Sequence, residues 1–206
     1  MTPDTREKLI ETARRLFHEQ GYAATGVSTI LREAGVHAGS LYHFFASKED
    51  LLLAVLERYQ ALLAPVVMEP AERAEPDPVE RVFALLAWYR AGLEATECRM
   101  GCPIGNLALE VADSYPAARP LIDANFRGWA ARIEGWLREA GEALPAGCDR
   151  AALSRFVLTV MEGGVMQARA RGSPAPFDES VDQLRRYFAL LRGEASREQG
   201  TRKGKP

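Results

Sequence analysis

With 206 residues, 47% of them hydrophobic, the chain is long and apolar enough to bury one sizeable core or two small ones, which argues for a folded globule. Its formal charge of −2, from 26 basic and 28 acidic residues, does not advertise nucleic-acid binding, so such a function would have to rest on local placement. Three cysteines give no paired disulfide framework. The N-terminus is charged from Asp4 onward, and no apolar run approaches the roughly 18–20 residues of a bilayer span, so a reduced, cytoplasmic protein away from membranes is expected.

Asp4 or Thr5 can cap a first helix that runs to about Gln20, with Leu9, Ile10, Ala13, Leu16 and Phe17 as its apolar stripe and Gly21 at its end. From Val27 to Leu52 two short helices and the start of a longer one follow in quick succession. On the first, Val27, Ile30, Leu31 and Ala34 share one face, and Ser28, Arg32 and Glu33 are left for water. Gly35 closes it in a left-handed turn. On the second, Leu41, Phe44 and Phe45 sit at i, i+3 and i+4 and build an inward face. At 100° per residue Gly39 and His43 point directly away from that face, with Ser40 and Tyr42 beside them. Two short helices around a glycine turn, the second too short to stand alone, are the pattern of a helix-turn-helix. Ser47 can cap the next helix, with Asp50 in the place of the reciprocal Glu or Gln.

That helix continues through Leu51, Leu52, Val55, Leu56, Tyr59 and Leu63. Residues 65–78 then shift to Pro, Glu and Ala, which reads as a surface connection. Asp77-Pro78 is a helix start, followed by Val79, Val82, Phe83, Leu86 and Leu93. A glycine-bounded loop at 101–103 leads to a short helix through Leu107, Leu109 and Val111. Beyond Tyr115-Pro116 a long helix places Ile122, Phe126, Trp129, Ile133, Trp136 and Ala140 at alternating steps of four and three, a seam for a partner helix. Asp149 can cap the next, which carries Leu153, Phe156, Val157, Val160, Met161 and Val165 and is interrupted by Gly163-Gly164. Interior glycine costs roughly 1 kcal/mol relative to alanine, so close helix contact is the expected reason, with Gly164 and Ala168 admitting another backbone. The last helix starts near residues 176–178 and offers Val181, Leu184, Phe188 and Leu191. Residues 194–206 are expected to be disordered. No strand pattern or internal repeat is evident, and the fold class is all-α.

The segment from about Arg6 to Tyr59 resembles the DNA-binding domain of the tetracycline-repressor (TetR) family: an amphipathic helix ending in Gly-Tyr, the AGV turn, then GSLYHFF and SKEDLL. The family pattern carries Ser-Lys where this chain has His37-Ala38, which removes a cap and a phosphate contact. The resemblance implies a helix-turn-helix domain over residues 1–48 and a larger helical effector-binding and dimerisation domain over residues 49–193. On the helix-turn-helix, the candidates for contact with double-stranded DNA are Ser28, Thr29, His37, Ala38, Gly39, Ser40, Tyr42, His43 and Lys48. A major groove admits one helix. Tyr42 and Ser40 can bond phosphate oxygens, His43 can reach a phosphate or a base edge, and Gly39 permits close approach. Lys48 at a helix start adds charge where backbone N–H groups already favour phosphate. The bland alternative for this face is a solvated side of a small core helix.

GCPIGNLALE resembles the ligand-domain segment of TetR-type regulators that respond to electrophiles or oxidants, in which a cysteine aligned with Cys102 is the sensor. Cys98, beside Arg99, and Cys102 can equally be buried free thiols that fill space. No metal site is expected, because His18, His37 and His43 all lie in the N-terminal third, and no cofactor motif is present. Phe83, Trp88, Phe126, Trp129, Trp136 and Met161 fit an apolar effector cavity or plain core equally well. The resemblance implies that the last two long helices pack against their symmetry mates as a four-helix bundle, and Val157, Gly164, Ala168, Leu184, Phe188 and Leu191 are the positions offered for that homodimer contact. The expectation is a ligand-responsive regulator, a repressor by the family's default, and not an enzyme. The rival is an all-α enzyme or ligand carrier using a reactive cysteine, for which no acid, base or nucleophile cluster is visible.

Overall fold

The structure, a computed structural model, describes residues 4–203, without the side chains of Ala38 and residues 201–203. The described residues form no strand. The helices are α1 (Thr5–Gln20), α2 (Val27–Ala34), α3 (Ala38–Phe44), α4 (Lys48–Leu62), a π-helical turn (Leu63–Met68), α5 (Glu69–Ala74), α6 (Pro78–Ala95), α7 (Pro103–Val111), α8 (Arg119–Glu139), a 3-10 turn (Gly141–Ala143), α9 (Arg150–Arg171) and α10 (Ala175–Lys203). Their ends follow local chemistry. Ser47 Oγ accepts the Asp50 N–H at 3.0 Å, while Asp77 and Asp149 accept N–H groups of the first turns of α6 and α9. Gly35, at φ 65°, closes α2: its N–H reaches the Arg32 carbonyl and the Val36 N–H that of Leu31, a pair of bonds only a left-handed residue permits.

The chain divides into two compact units. The first takes the chain up to Leu62 together with Met100–Arg127, and the second takes Leu63–Arg99 together with the chain from Gly128 onward. All of α4 stays with α1 in the first unit, and a later segment returns to it. In the first unit α1 is the central element and packs on α2, α3, α4 and α7. Leu9, Ile10, Ala13, Leu16 and Phe17 are buried there with Ile30, Leu41, Phe45, Leu51, Leu52, Val55 and Leu56. Each large apolar side chain contributes about 1.5–3 kcal/mol of burial, which is what holds a seven-residue helix such as α3 in place. In the second unit α6, α9 and α10 pack on one another, around Val82, Phe83, Leu86, Val157, Met161, Leu184 and Phe188.

Three expectations are corrected here. Residues 65–78 are not a bare surface connection, because they include the π turn and α5, with Val67, Met68 and Ala71 buried. Proline lacks an N–H and its ring crowds the carbonyl four residues back, so the helix widens to π spacing around Pro65 instead of ending. The run Lys48–Ala74 is, by length and composition, apolar enough to cross a membrane, which the sequence pattern understated. Its Leu51, Leu52, Val55, Leu56, Leu63 and Met68 are turned into the protein interior. Residues 194–203 are helical where disorder was expected: Ala195 is buried, Glu198 accepts the Ala146 N–H at 3.2 Å, and Gln199 donates to the Glu142 carbonyl at 2.7 Å. Residues 204–206 of that expected tail lie outside the described ones.

Candidate functional site

The helix-turn-helix keeps its inward and outward faces apart as the periodicity requires. Leu41 and Phe45 are buried and Phe44 is half-buried, whereas Gly39 and His43 are exposed, Ser40 is half-buried and Tyr42 is 64% exposed. A Cβ built at Gly39 would meet nothing within 4 Å, so this side of α3 is open to an approaching partner. His43 has its ring edge-to-face with Phe44 at 4.7 Å. His37 precedes α3 as an exposed N-cap residue whose side chain makes no capping bond. Ser28 is exposed and Thr29 half-buried in the first turn of α2. The Ala38 side chain, also named above, lies outside the described ones.

Lys48 is placed differently. Its Nζ donates to the Tyr22 carbonyl at 2.5 Å and stands 4.0 Å from the Tyr22 ring centroid, and burial lowers its pKa despite the nearby Glu110. The half-buried ammonium is thus engaged within the module. Most other cations of the module are also engaged: Arg58 pairs with Glu7 and Glu11, Arg14 with Glu11, Arg15 with Glu19 and Glu33, and Arg32 with Glu33 at 3.5 Å. The surface around α3 therefore exposes the Tyr42 hydroxyl and the His37 and His43 imidazoles, with little unpaired positive charge beside them.

The residues named for effector contact do not come together in one unit. Cys102 and Phe126 belong to the first, and Phe83, Trp88, Trp129 and Met161 to the second. Cys102 is buried and caps α7, its Sγ accepting the Gly105 N–H at 3.5 Å. Phe83 is core: its ring lies edge-to-face with Phe188 at 5.6 Å and under the Arg185 guanidinium at 3.8 Å. Met161 and Trp129 are buried, with Trp129 against Tyr89 at 6.1 Å, while Trp88 is 43% exposed. Burial pushes the Cys148 thiol up, against the opposing pull of Arg150, so the neutral thiol is favoured there. Cys98 is buried in a turn where it and Glu97 both have positive φ. Among the described residues no group of three or more His, Cys, Asp or Glu could hold a metal.

The positions offered for dimer contact are buried in the protomer. Val157, Gly164, Ala168, Leu184, Phe188 and Leu191 all face the protomer's own core. A Cβ at Gly164 would fall 3.0 Å from Phe177 Cδ2 and 3.3 Å from Phe177 Cα, so this glycine admits the start of α10. Gly163, by contrast, faces open space. The outer face of the same helix pair carries Phe156, Met166, Tyr187 and Leu190, with Phe156 and Tyr187 edge-to-face at 5.8 Å.

Sequence reasoning missed two constellations. Glu110, exposed on α7, accepts the N–H groups of Tyr22 at 2.9 Å and Ala23 at 2.7 Å. Asn125 is fully buried in the apolar seam of α8, with Nδ2 donating to the carbonyls of Leu56 at 3.1 Å and Leu121 at 2.9 Å and Oδ1 without a partner. A polar residue inside the 122–126 seam was the available signal for Asn125. Nothing in sequence pairs Glu110 with a turn 88 residues earlier.

Residues 9–55 match the family described as "Bacterial regulatory proteins, tetR family", and residues 78–183 match "Transcriptional regulator LmrA/YxaF-like, C-terminal domain". The chain is 31% identical to the HTH-type transcriptional regulator YxaF of Bacillus subtilis, over 88% of this chain and 93% of that protein. It is 28% identical to the HTH-type transcriptional repressor NemR of Escherichia coli, over 90% and 94% of the two chains. The reduced-form crystal structure of NemR superposes with a TM-score of 0.77 at 27% identity, covering 91% of this chain and 97% of that one. A regulatory protein TetR from Rhodobacter sphaeroides superposes at 0.80, also at 27% identity, covering 91% and 98%.

Proposed function

We propose that this chain, which belongs to the TetR family of bacterial transcriptional regulators, is a homodimeric, cytoplasmic repressor that binds a pseudo-palindromic operator and releases it in response to a small-molecule effector. Its relatives are regulators and not enzymes, which leaves the enzyme or carrier alternative without support. The observation that carries the DNA contact is the outward face of α3, where Tyr42, His43 and Gly39 are exposed over a buried Leu41. In a symmetric pair two such helices would enter successive major-groove faces roughly 34–36 Å apart or at a multiple of that spacing. The partner contact is the outer apolar face of α9 and α10, around Phe156, Met166, Tyr187 and Leu190, because exposed apolar area of this kind is what a self-complementary interface buries.

The effector in this reading is an electrophile that alkylates Cys102. The sulfur adds to the β-carbon of an unsaturated carbonyl, the carbon–carbon π bond breaks, and the thiol proton ends on the α-carbon. Cys102 is only 3% exposed, so an adduct cannot be housed without displacing α7 or its neighbours. That a structure of the similar NemR is designated the reduced form supports cysteine chemistry as the input. Effector leverage equals its differential affinity for the operator-competent and released conformers. The deciding experiment is fluorescence anisotropy with duplex DNA from the gene's own upstream region at two salt concentrations, before and after N-ethylmaleimide. Salt-sensitive binding that the reagent abolishes in the natural protein but not in Cys102→Ser supports the reading. Binding to no duplex overturns the DNA contact, and equal release of both proteins overturns Cys102 as sensor.

A further inference from the structure

Tyr22 is gripped from three helices of the first unit and from the loop that follows α7. Its N–H and that of Ala23 converge on the two carboxylate oxygens of Glu110 from α7, at 2.9 and 2.7 Å. Its carbonyl accepts from Lys48, the first residue of α4. Its ring lies edge-to-face with Phe17 of α1 at 5.1 Å and with Tyr115 at 5.0 Å. Burial and a hydrogen bond with Tyr115 keep its hydroxyl protonated. Gly21 makes the grip possible: at φ +88° a Cβ there would lie 3.2 Å from both Glu110 oxygens. Just before α7, the Gly101 carbonyl lies 2.7 Å from His18 Nε2, so that nitrogen carries the proton and donates. The Cys102-capped helix is thus pinned at both ends to the exit of α1. The turn it holds leads directly into α2, and Lys48 opens the helix that follows α3.

We infer that Glu110 is a positioning residue for DNA reading: its carboxylate, through the paired amides of Tyr22 and Ala23 and through Lys48 behind them, holds α2 and α3 in the arrangement that meets the duplex. Any movement of α7 reaches the reading helices from both flanks, at the turn before α2 and at Lys48 after α3. Two charge-assisted bonds from one carboxylate make the link directional as well as attractive. The inference rests on the DNA-binding reading above and not on the identity of the effector.

The test compares natural protein with Glu110→Ala, Glu110→Gln and, as control, Asp113→Asn, using a duplex enriched from a random library by the natural protein. Operator affinity is measured beside NMR amide exchange across residues 21–44. Glu110→Ala is expected to bind about tenfold more weakly and to speed exchange through α2 and α3. Glu110→Gln, which keeps one acceptor but opposes the second amide with its own NH2, is expected to fall between; it also replaces Glu110→Ala should that variant not fold. The sign is diagnostic, because removing a negative charge near DNA would by itself tighten binding, as the control should show. Unchanged or tighter binding, with exchange altered only at residues 21–23, overturns the inference. A lowered melting temperature with normal affinity of the folded protein does the same. Should the natural protein enrich no duplex, the DNA reading fails and exchange alone decides: faster exchange in α2 and α3 upholds the coupling, and unchanged exchange overturns it.

Discussion

The short helix α3 and the long pair α9 and α10 make opposite demands on a sequence. A helix of seven residues has room for one buried side, and once Leu41 occupies it, with Phe45 buried just beyond its end, the opposite side is free for a partner by default. Helices of 22 and 29 residues carry two apolar stripes, one inward and one outward. Their spacings are the same, and composition alone does not say which stripe meets the protomer and which its mate. The exposed side of α3 is therefore readable from a short period, whereas on α9 and α10 the positions offered for dimer contact are buried in the protomer.

The largest expected effect tests this contrast at Gly164. Substitution by valine places atoms against the Phe177 backbone at 3.3 Å, and a loss of roughly 1–3 kcal/mol in protomer stability is expected from such overpacking, seen as a lower melting temperature. Dissociation of a dimer with melting unchanged would instead return Gly164 to the subunit contact. Next, Leu190→Glu combined with Phe156→Glu should leave the fold intact, within about 0.5 kcal/mol per surface site, and yield monomers by sedimentation. A dimer that persists would place the contact elsewhere.

On α3, Tyr42→Ala should weaken operator binding by about 1–3 kcal/mol, with no change in sedimentation or melting. Unaltered affinity would remove Tyr42 from the interface. The smallest effect concerns acid. For Asp77, burial works against the charge, but Arg192 at 2.7 Å and the N–H groups of Val79 and Glu80 outweigh it and hold the carboxyl below the ordinary range. A depressed folded-state pKa stabilises above the unfolded value and is lost as pH falls through the folded one. Asp77→Asn should accordingly flatten the acid limb of the stability curve below about pH 4, and an identical acid limb in both proteins would show the pair to be idle.

Much of the first unit was legible because its signals are local. Gly35 and Ser47 act within a few residues of themselves, and the α1 stripe from Leu9 to Phe17 is a plain period. Lys48 shows where local signals stop: its position at a helix start points to phosphate, whereas its bond to the Tyr22 carbonyl, 26 residues earlier, leaves no mark in the sequence. The Pro, Glu and Ala content of residues 65–78 points to a surface connection, but a π turn absorbs Pro65 because the flanking Leu63, Val67 and Met68 have a core to enter. Residues 194–203 looked featureless because their anchors, the Ala146 N–H and the Glu142 carbonyl, are backbone groups that leave no mark in composition.

By itself the sequence determined the all-α class, the helix-turn-helix with its outward side chains, and the helix ends at Gly35 and Ser47, since these depend on neighbours within a turn or two, although Asp4 makes no side-chain cap on α1. Only the tertiary structure decided that Gly164 serves Phe177, that α7 returns to the first unit, and that Glu110 closes on the turn at Tyr22. Those outcomes join residues far apart in the chain, and a side chain's partner across such a distance is set by how whole helices pack, which no local period encodes.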